Sequence, residues 1–249
     1  MLARISSNAS RRHISVRGPS GPGRTRWVSL ADGPGLIQGQ ALFERLEAAS
    51  PGGVVLVCAP AGGGKSVLVR SWARSGGQRE RMAWVSVEPR ERDGQRFCLS
   101  VIDALGQLAG STEQMSPAPG FRGERAVKRL LSEMEALEEP MALVIDDLGE
   151  PRSAEALAWL ELFLTRLLAV LVTREDPRLG LYRLRLAGEL IELRGPDLAF
   201  SAEETRELLA TSHITVSDAG AVLLHQRIEG WAAGLRLAVI SLGEHPDPE

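Results

Sequence analysis

The sequence lacks the features that mark several classes of protein. It has only two cysteines, Cys58 and Cys98, which is too few for a disulfide framework, and Cys58 lies in an apolar run where a thiol serves as small packing material. No apolar run reaches the length of a membrane span, because the longest candidate, 158–172, is interrupted by Glu161 and Arg166. These absences predict a cytoplasmic chain without membrane contact.

Other kinds of site also lack their sequence signals. The four histidines are scattered, and no Cys/His spacing resembles a set of metal ligands. No Gly-x-Ser-x-Gly segment is present, so a serine hydrolase is not indicated. The tryptophans Trp84, Trp159 and Trp231 lie in apolar strand or helix patterns, which favour packing in the core over contact with a ligand.

Acidic residues are missing from the first 31 positions, which carry six arginines. Because the whole chain has a net charge of -3, the remainder carries about -9. The Gly- and Pro-rich composition predicts a disordered basic arm over residues 1–34, with a targeting peptide or a nucleic-acid arm as alternatives. The acidic body has no basic recognition helix, so no direct DNA contact is expected from this chain.

From residue 35 to residue 196, short apolar strands alternate with amphipathic helices. This pattern is typical of an α/β fold with a mostly parallel sheet flanked by helices. After residue 197 the pattern is wholly helical, with a capping box at Ser201 and Glu204 and a cap at Ser217, which predicts a small C-terminal helical subdomain over residues 197–249. The predicted strands are Val54–Cys58, Met82–Val87, Met141–Ile145, Ala169–Thr173 and Leu190–Leu193.

Lysine is scarce, and one of the two lysines, Lys65, falls in the segment Ala59 to Ser66, which reads APAGGGKS. An apolar strand precedes this segment and a helix follows it, which is the context of a phosphate-binding P-loop. Backbone N–H groups of such a loop and the helix N-terminus bind phosphates, and Lys65 would reach the terminal phosphates. The residues predicted to bind nucleotide here are Pro60, Ala61, Gly62, Gly63, Gly64, Lys65, Ser66 and Val67.

Acidic and basic residues follow two later strands. Asp146 and Asp147 end the third predicted strand, where a P-loop ATPase needs a carboxylate for Mg²⁺. We predict that Asp146 and Ser66 hold the metal and that Asp147 orients or deprotonates the attacking water. Arg174 ends the fourth strand, where it would contact the γ-phosphate, although a surface ion pair is the alternative. Lys65, Asp147 and Arg174 are thus the predicted catalytic residues.

With these motifs the chain resembles the ATPase domain of the large ATP-binding LuxR-type transcriptional regulators of the maltose-activator type, within the STAND class of P-loop NTPases. The matching stretches are LVCAPAGGGKS, AWVSVE, ALVIDDL, LVTREDP, LRLAGELIELRGPDLAFSAEET and RIEGWAAGLRLA. The resemblance implies a switch between ADP and ATP states, with self-association in the ATP state. It also implies that Leu36 and Ile37 flank the adenine.

The chain departs from the family's pattern at several positions. Gly63 replaces an aromatic residue and Val67 replaces a hydroxyl residue, which leaves binding intact but places hydrolysis in question. The winged-helix, helical-repeat and helix-turn-helix segments of the family are not seen, so the chain is expected to be one module of such a regulator. The alternatives are a small-molecule kinase that uses the same loop and a degenerate ATPase that only binds nucleotide.

Overall fold

The computed structural model describes residues 40–49, 52–75, 82–87, 94–108, 127–128, 132, 141–149, 154–177 and 179–244. The predicted basic arm and the two residues predicted to flank adenine, Leu36 and Ile37, lie outside these ranges. Within them, no helix is long and apolar enough to cross a membrane.

In the part of the chain that the structure describes, five strands form one sheet, and every pair of neighbours runs parallel. The first strand lies inside the sheet, between the fourth and the fifth strands, so the loop that follows it has a strand end on either side. The sheet has the order β2-β3-β4-β1-β5, with β1 at Val54–Cys58, β2 at Met82–Ser86, β3 at Ala142–Asp146, β4 at Leu168–Thr173 and β5 at Leu190–Arg194.

Helices connect the strands and then continue the chain after the last strand. They are α1 at Gln40–Glu47, α2 at Lys65–Ser75, α3 at Gly94–Leu108, α4 at Ala154–Leu164, α5 at Tyr182–Ala187, α6 at Gly195–Leu198, α7 at Ala202–Thr211, α8 at Asp218–Ile228 and α9 at Ala232–Glu244. The predicted α/β class with a parallel sheet flanked by helices is therefore confirmed.

Alternating side chains of β1 divide the interior into two layers. Val54 and Leu56 belong to a core shared with α3 and α4, whereas Val55 and Val57 belong to a core shared with α1 and α2. All five residues of β1 are buried, which is expected for a parallel strand covered by helices on both faces. The sheet is thus a rigid base for the loop that leaves the end of β1.

Several predicted strand ends were wrong by one residue. The strand predicted at Met141–Ile145 includes Asp146, because Asp146 pairs with Ser86 of β2. The strand predicted to end at Leu193 continues to Arg194, which pairs with Cys58. Shifts of the same size occur at three other ends, since β2 ends at Ser86 rather than one residue later, β3 begins at Ala142 rather than Met141, and β4 begins at Leu168 rather than Ala169.

Helices α7 to α9 have a small apolar core of their own, centred on Leu209 and Leu235. The capping box at the start of α7 is confirmed, since the Ser201 hydroxyl accepts from the Glu204 N–H and the Glu204 carboxylate accepts from the Ser201 N–H. Ser217 caps α8 as expected, with its hydroxyl 3.1 Å from the Gly220 nitrogen.

Candidate nucleotide-binding site

The predicted phosphate loop lies between the end of β1 and the start of α2. Gly62 and Gly64 have φ angles of 74° and 85°, in the left-handed region that other residues rarely adopt. Gly63 donates its N–H to the Pro60 carbonyl at 3.2 Å, which closes the loop on itself. Gly62 and Gly64 are therefore needed for the backbone conformation of this loop, and not only because they take up little space.

Lys65 is buried at the first position of α2. Its Nζ donates to the carbonyl oxygens of Ala59 at 2.7 Å and Pro60 at 2.9 Å. Burial lowers the pKa of the Lys65 ammonium, and Arg174 lowers it further, whereas Asp147 raises it. An anion at this position would favour the charged ammonium, because an opposite charge nearby stabilises the protonated form.

Asp146 at the end of β3 is buried, and its carboxylate contacts the start of α2. The Ser66 hydroxyl donates to Asp146 Oδ1 at 2.8 Å, and the Arg70 guanidinium lies 3.6 Å from Asp146 Oδ2. Arg70 also lies over the Trp84 ring, at 4.4 Å from its centroid. Trp84 is only half-buried, so the expected core packing holds for part of its ring.

Asp147 pairs with Arg174 beside this cluster. Its φ of 60° places the residue in the left-handed region, and its carboxylate accepts from Arg174 Nε at 3.2 Å and from a terminal guanidinium nitrogen at 3.3 Å. Both side chains are more than half exposed, at 57% for Asp147 and 61% for Arg174. The two residues predicted to act on the γ-phosphate and on water therefore form an ion pair at the mouth of the site.

Thr173 fixes the turn that presents Arg174. Its buried hydroxyl donates to the Glu175 carbonyl, two residues further along the chain. Three residues, 165–167, connect α4 to β4, and Arg174 directly follows Thr173, the last residue of β4. The predicted position of Arg174 beside the loop is consistent with this arrangement.

Charged residues at β5 border the other side of the loop. Arg194 lies 3.0 Å from Asp176 and also pairs with Glu192. The hydrogen bond from Arg185 lowers the pKa of Glu192 to about 2, although burial opposes the shift. On α1, Arg45 donates to Asp197 at 2.7 Å and to the Glu192 carbonyl at 2.7 Å, which ties α1 to the end of β5.

Trp231 was expected to pack in the core, and this prediction was wrong. Its side chain is 46% exposed and its Nε1 donates to the Ala61 carbonyl at 3.1 Å. The helix pattern predicted the spacing of apolar residues. It did not show which way the Trp231 side chain points, because Trp231 precedes the first turn of α9. The side chain of Trp159 is not among those that the structure describes.

The structure thus brings Lys65, Ser66 and Asp146 together, and places Asp147 and Arg174 beside them. Of the other predicted loop residues, Pro60 to Gly62 are exposed, while Gly63, Gly64 and Val67 are half-buried. Among the described residues, no group of three or more His, Cys, Asp or Glu side chains could hold a metal ion. A hydroxyl and a carboxylate oxygen at 2.8 Å suit Mg²⁺, which takes few protein ligands and otherwise binds water and phosphate.

Comparison with known proteins supports this picture. No family model matches the sequence. The chain is 29% identical to the HTH-type transcriptional regulator MalT of Cronobacter sakazakii over 215 residues, which is 81% of this chain and 23% of that protein. It is 28% identical to MalT of Klebsiella pneumoniae over 217 residues, again 81% and 23%. The matched part therefore spans about a quarter of these curated relatives.

A solved structure of a STAND protein, a signal transduction ATPase with numerous domains and a tetratricopeptide repeat sensor, from Pyrococcus horikoshii, shares the fold. Its TM-score is 0.52 at 16% identity, covering 85% of this chain and 31% of that one. The resemblance predicted from the motifs is confirmed. Over most of its own length, this chain is homologous to MalT, a LuxR-type transcriptional regulator, and it has the fold of a P-loop NTPase.

Proposed function

We propose that the chain binds Mg–ATP and Mg–ADP at the loop Ala59 to Ser66 and is the nucleotide-switch ATPase module of a transcriptional regulator related to MalT. The hydrogen bond from Ser66 to Asp146 carries this proposal, because it joins the phosphate loop to the strand-end carboxylate that a magnesium-dependent NTPase requires. A glycine-rich turn without function would not need a buried carboxylate at this point.

In this function, the chain's own groups divide the work. Loop N–H groups and the N-terminus of α2 bind the phosphates, and Lys65 exchanges its two carbonyl partners for phosphate oxygens. Ser66 and Asp146 hold the magnesium ion. When bound, magnesium neutralises phosphate charge and polarises the terminal phosphoryl group.

Arg174 and Asp147 give the proposed module a means to distinguish ATP from ADP. Arg174 can bind either the Asp147 carboxylate or a γ-phosphate, and only ATP offers the second partner. Turning Arg174 to the γ-phosphate releases Asp147 to orient water. A ligand that prefers one of two arrangements shifts their populations, which is the physical requirement of a switch.

The division into a core over residues 35–196 and a helical subdomain over 197–249 is part of this proposal. So is self-association in the ATP state, which predicts an increase in mass by light scattering with ATP but not with ADP. The body of this chain is acidic, and the proposal includes no direct DNA contact by it. The curated relatives extend well beyond the matched part.

Calorimetric titration with Mg–ATP tests the proposal on the parent, on Lys65→Ala and on Lys128→Ala. Lys128 is the only other lysine and is exposed, so its variant controls for the loss of one positive charge. We expect binding to weaken about a hundredfold or more in Lys65→Ala, because charge-assisted hydrogen bonds to phosphate are lost, and to persist in Lys128→Ala. A parent that binds no nucleotide would refute the proposal.

Phosphate release then separates the alternatives. The switch ATPase releases phosphate slowly without any acceptor, whereas a kinase requires a small-molecule acceptor for turnover. A protein that only binds nucleotide shows a rise in melting temperature with ATP but no phosphate release.

A further inference from the structure

Helix α9 begins directly on the phosphate loop. The Trp231 indole Nε1 donates to the Ala61 carbonyl at 3.1 Å, and the Ala233 backbone N–H donates to the Gly62 carbonyl at 3.0 Å. Two successive carbonyl groups of the loop are thus bound by two groups at the start of one helix, although 170 residues separate Ala61 from Trp231.

Packing reinforces these two hydrogen bonds. A Cβ atom on Gly62 would lie 2.6 Å from the Ala233 Cβ and 2.9 Å from the Trp231 ring, so this face of the loop has no free space. On α9, a Cβ atom on Gly234 would lie 2.8 Å from the Trp231 ring. The same Cβ atom would lie 2.7 Å from Ile228 Cγ2, so the lack of a side chain at Gly234 leaves room for both the indole and Ile228 beside the start of α9.

The sharp turn before Trp231 also depends on glycine. Gly230 has a φ of 70°, and a Cβ atom there would lie within 3 Å of the Phe200 backbone, so a side chain would clash. The Phe200 N–H donates to the Gly230 carbonyl at 2.9 Å. The segment Gly230 to Gly234 is thus shaped to place the indole on the loop.

The two hydrogen bonds orient peptide groups that matter for phosphate binding. In a planar trans peptide the N–H points away from the carbonyl. Holding the carbonyls of Ala61 and Gly62 on α9 therefore directs the N–H groups of Gly62 and Gly63 to the opposite side of the loop. The Gly63 N–H meets the Pro60 carbonyl there, and that carbonyl also accepts from Lys65 Nζ.

We propose that Trp231 is a positioning residue for phosphate binding, and that its contact with Ala61 couples occupancy of the loop to the arrangement of α7 to α9. The inference rests on the proposed function of the loop. A route for the coupling is present, because Leu235 and Val239 of α9 pack with Leu208 and Leu209 of α7 in one small core. A shift of the loop carbonyls is thereby passed to packed helices.

Three variants test the inference. Trp231→Phe removes the N–H donor and keeps an aromatic ring, Trp231→Ala removes both, and Leu237→Ala changes a side chain on the same helix that is 62% exposed. Calorimetry measures the binding of Mg–ATP and of inorganic triphosphate, which has phosphates but no nucleoside. Far-UV circular dichroism and melting without ligand confirm that each variant is folded.

We expect Trp231→Phe to weaken both ligands by the same factor of about three to ten, the range for one neutral hydrogen bond, and Trp231→Ala to weaken both further. Leu237→Ala should bind as the parent does. Amide hydrogen exchange adds a readout of coupling: nucleotide should change exchange in the first turn of α9 in the parent and not in Trp231→Ala. If Trp231→Ala fails to fold, Trp231→Phe alone carries the binding test.

The outcomes separate this inference from the proposed function. If the parent binds and Lys65→Ala does not, the proposed function holds, and unchanged affinities in the Trp231 variants overturn the inference. Weakening of ATP without weakening of triphosphate would also overturn it, because Trp231 would then act on the nucleoside. A parent that binds neither ligand overturns both proposals.

Discussion

Asp146 and Asp147 are neighbours in the chain but belong to two different halves of the site. Asp146 is buried and bonded to Ser66 beside Lys65, which makes up the buried half. Asp147 is 57% exposed and paired with Arg174, which makes up the exposed half. Asp147 also has a left-handed backbone, with a φ of 60°.

Under the proposed function, this difference would make one site both rigid and switchable. The buried half rests on the sheet, and its contacts are short hydrogen bonds among buried and half-buried groups. The exposed half rests on one ion pair in water, which contributes about 0–1 kcal/mol. Under the proposed function, a γ-phosphate would therefore rearrange the exposed half at little cost, while the buried half would hold the nucleotide in either state.

The largest effect is expected from a variant that disrupts the exposed half. Asp147→Asn should lower the turnover of ATP hydrolysis about a hundredfold, because a carboxylate that orients or accepts a proton from water is lost. Mg–ATP affinity should stay within about threefold of the parent, since no contact of the buried half changes. Phosphate release and calorimetry measure the two quantities. Loss of affinity in this variant would remove the division between the halves.

The next largest effect is expected from a variant that disrupts the buried half. Asp146→Asn should weaken Mg–ATP binding about tenfold or more, because a charged ligand of the metal is replaced by a neutral amide. ATP binding without magnesium should change far less, so the magnesium dependence is the informative readout. Ser66→Ala serves as a second variant, with the same expected direction. Equal effects of Asp146→Asn with and without magnesium would contradict the metal assignment.

Arg174→Ala sharpens the comparison by separating ATP from ADP. We expect ATP to bind about tenfold more weakly and ADP to bind as before, because only the γ-phosphate gains a charge-assisted hydrogen bond from Arg174. The ratio of the two dissociation constants measures this. An equal loss for both nucleotides would place Arg174 on the inner phosphates instead. The variant should melt close to the parent, since the ion pair that it removes is exposed.

A third group of charges gives the smallest effect and concerns stability alone. The pKa of Glu192 is lowered from 4.5 to about 2, chiefly by Arg185, so its charged form is favoured in the folded state. This stabilisation is present above the unfolded pKa and is lost as pH falls through the folded pKa. Unfolding by urea should therefore show a steeper loss of stability between pH 4.5 and 2 in the parent than in Glu192→Gln. Parallel curves would contradict the shift.

The sequence predicted which residues make up the buried half, whereas their roles in binding nucleotide and metal stay predictions. Lys65 and Ser66 belong to a local motif, and Asp146 ends an apolar strand, so each signal lies in a short segment. The contact of Ser66 with Asp146, by contrast, depends on the positions of β1 and β3 in the sheet. The five strands were found from short apolar runs. The ends of the strands were predicted less well, because the last residue of a strand is set by pairing with a neighbouring strand. Asp146, for example, belongs to β3 because it pairs with Ser86 of β2.

What depends on the arrangement of distant segments was not predicted. The pair of Asp147 with Arg174 follows from the adjacency of β3 and β4, which a list of strands does not give. The contact of Trp231 with Ala61 was missed for a similar reason, since an apolar helix pattern shows spacing but not which end meets another loop. The placement of Leu36 and Ile37 stays a prediction.

One titration tests most directly whether the buried half alone binds nucleotide. The double variant Asp147→Asn with Arg174→Ala removes the exposed half and leaves Lys65, Ser66 and Asp146 unchanged. We predict that calorimetry gives a dissociation constant for Mg–ADP within about threefold of the parent's value, because neither lost side chain takes part in the hydrogen bonds of Lys65 or in the bond from Ser66 to Asp146. A loss of tenfold or more would show that the two halves act as one and would contradict the account.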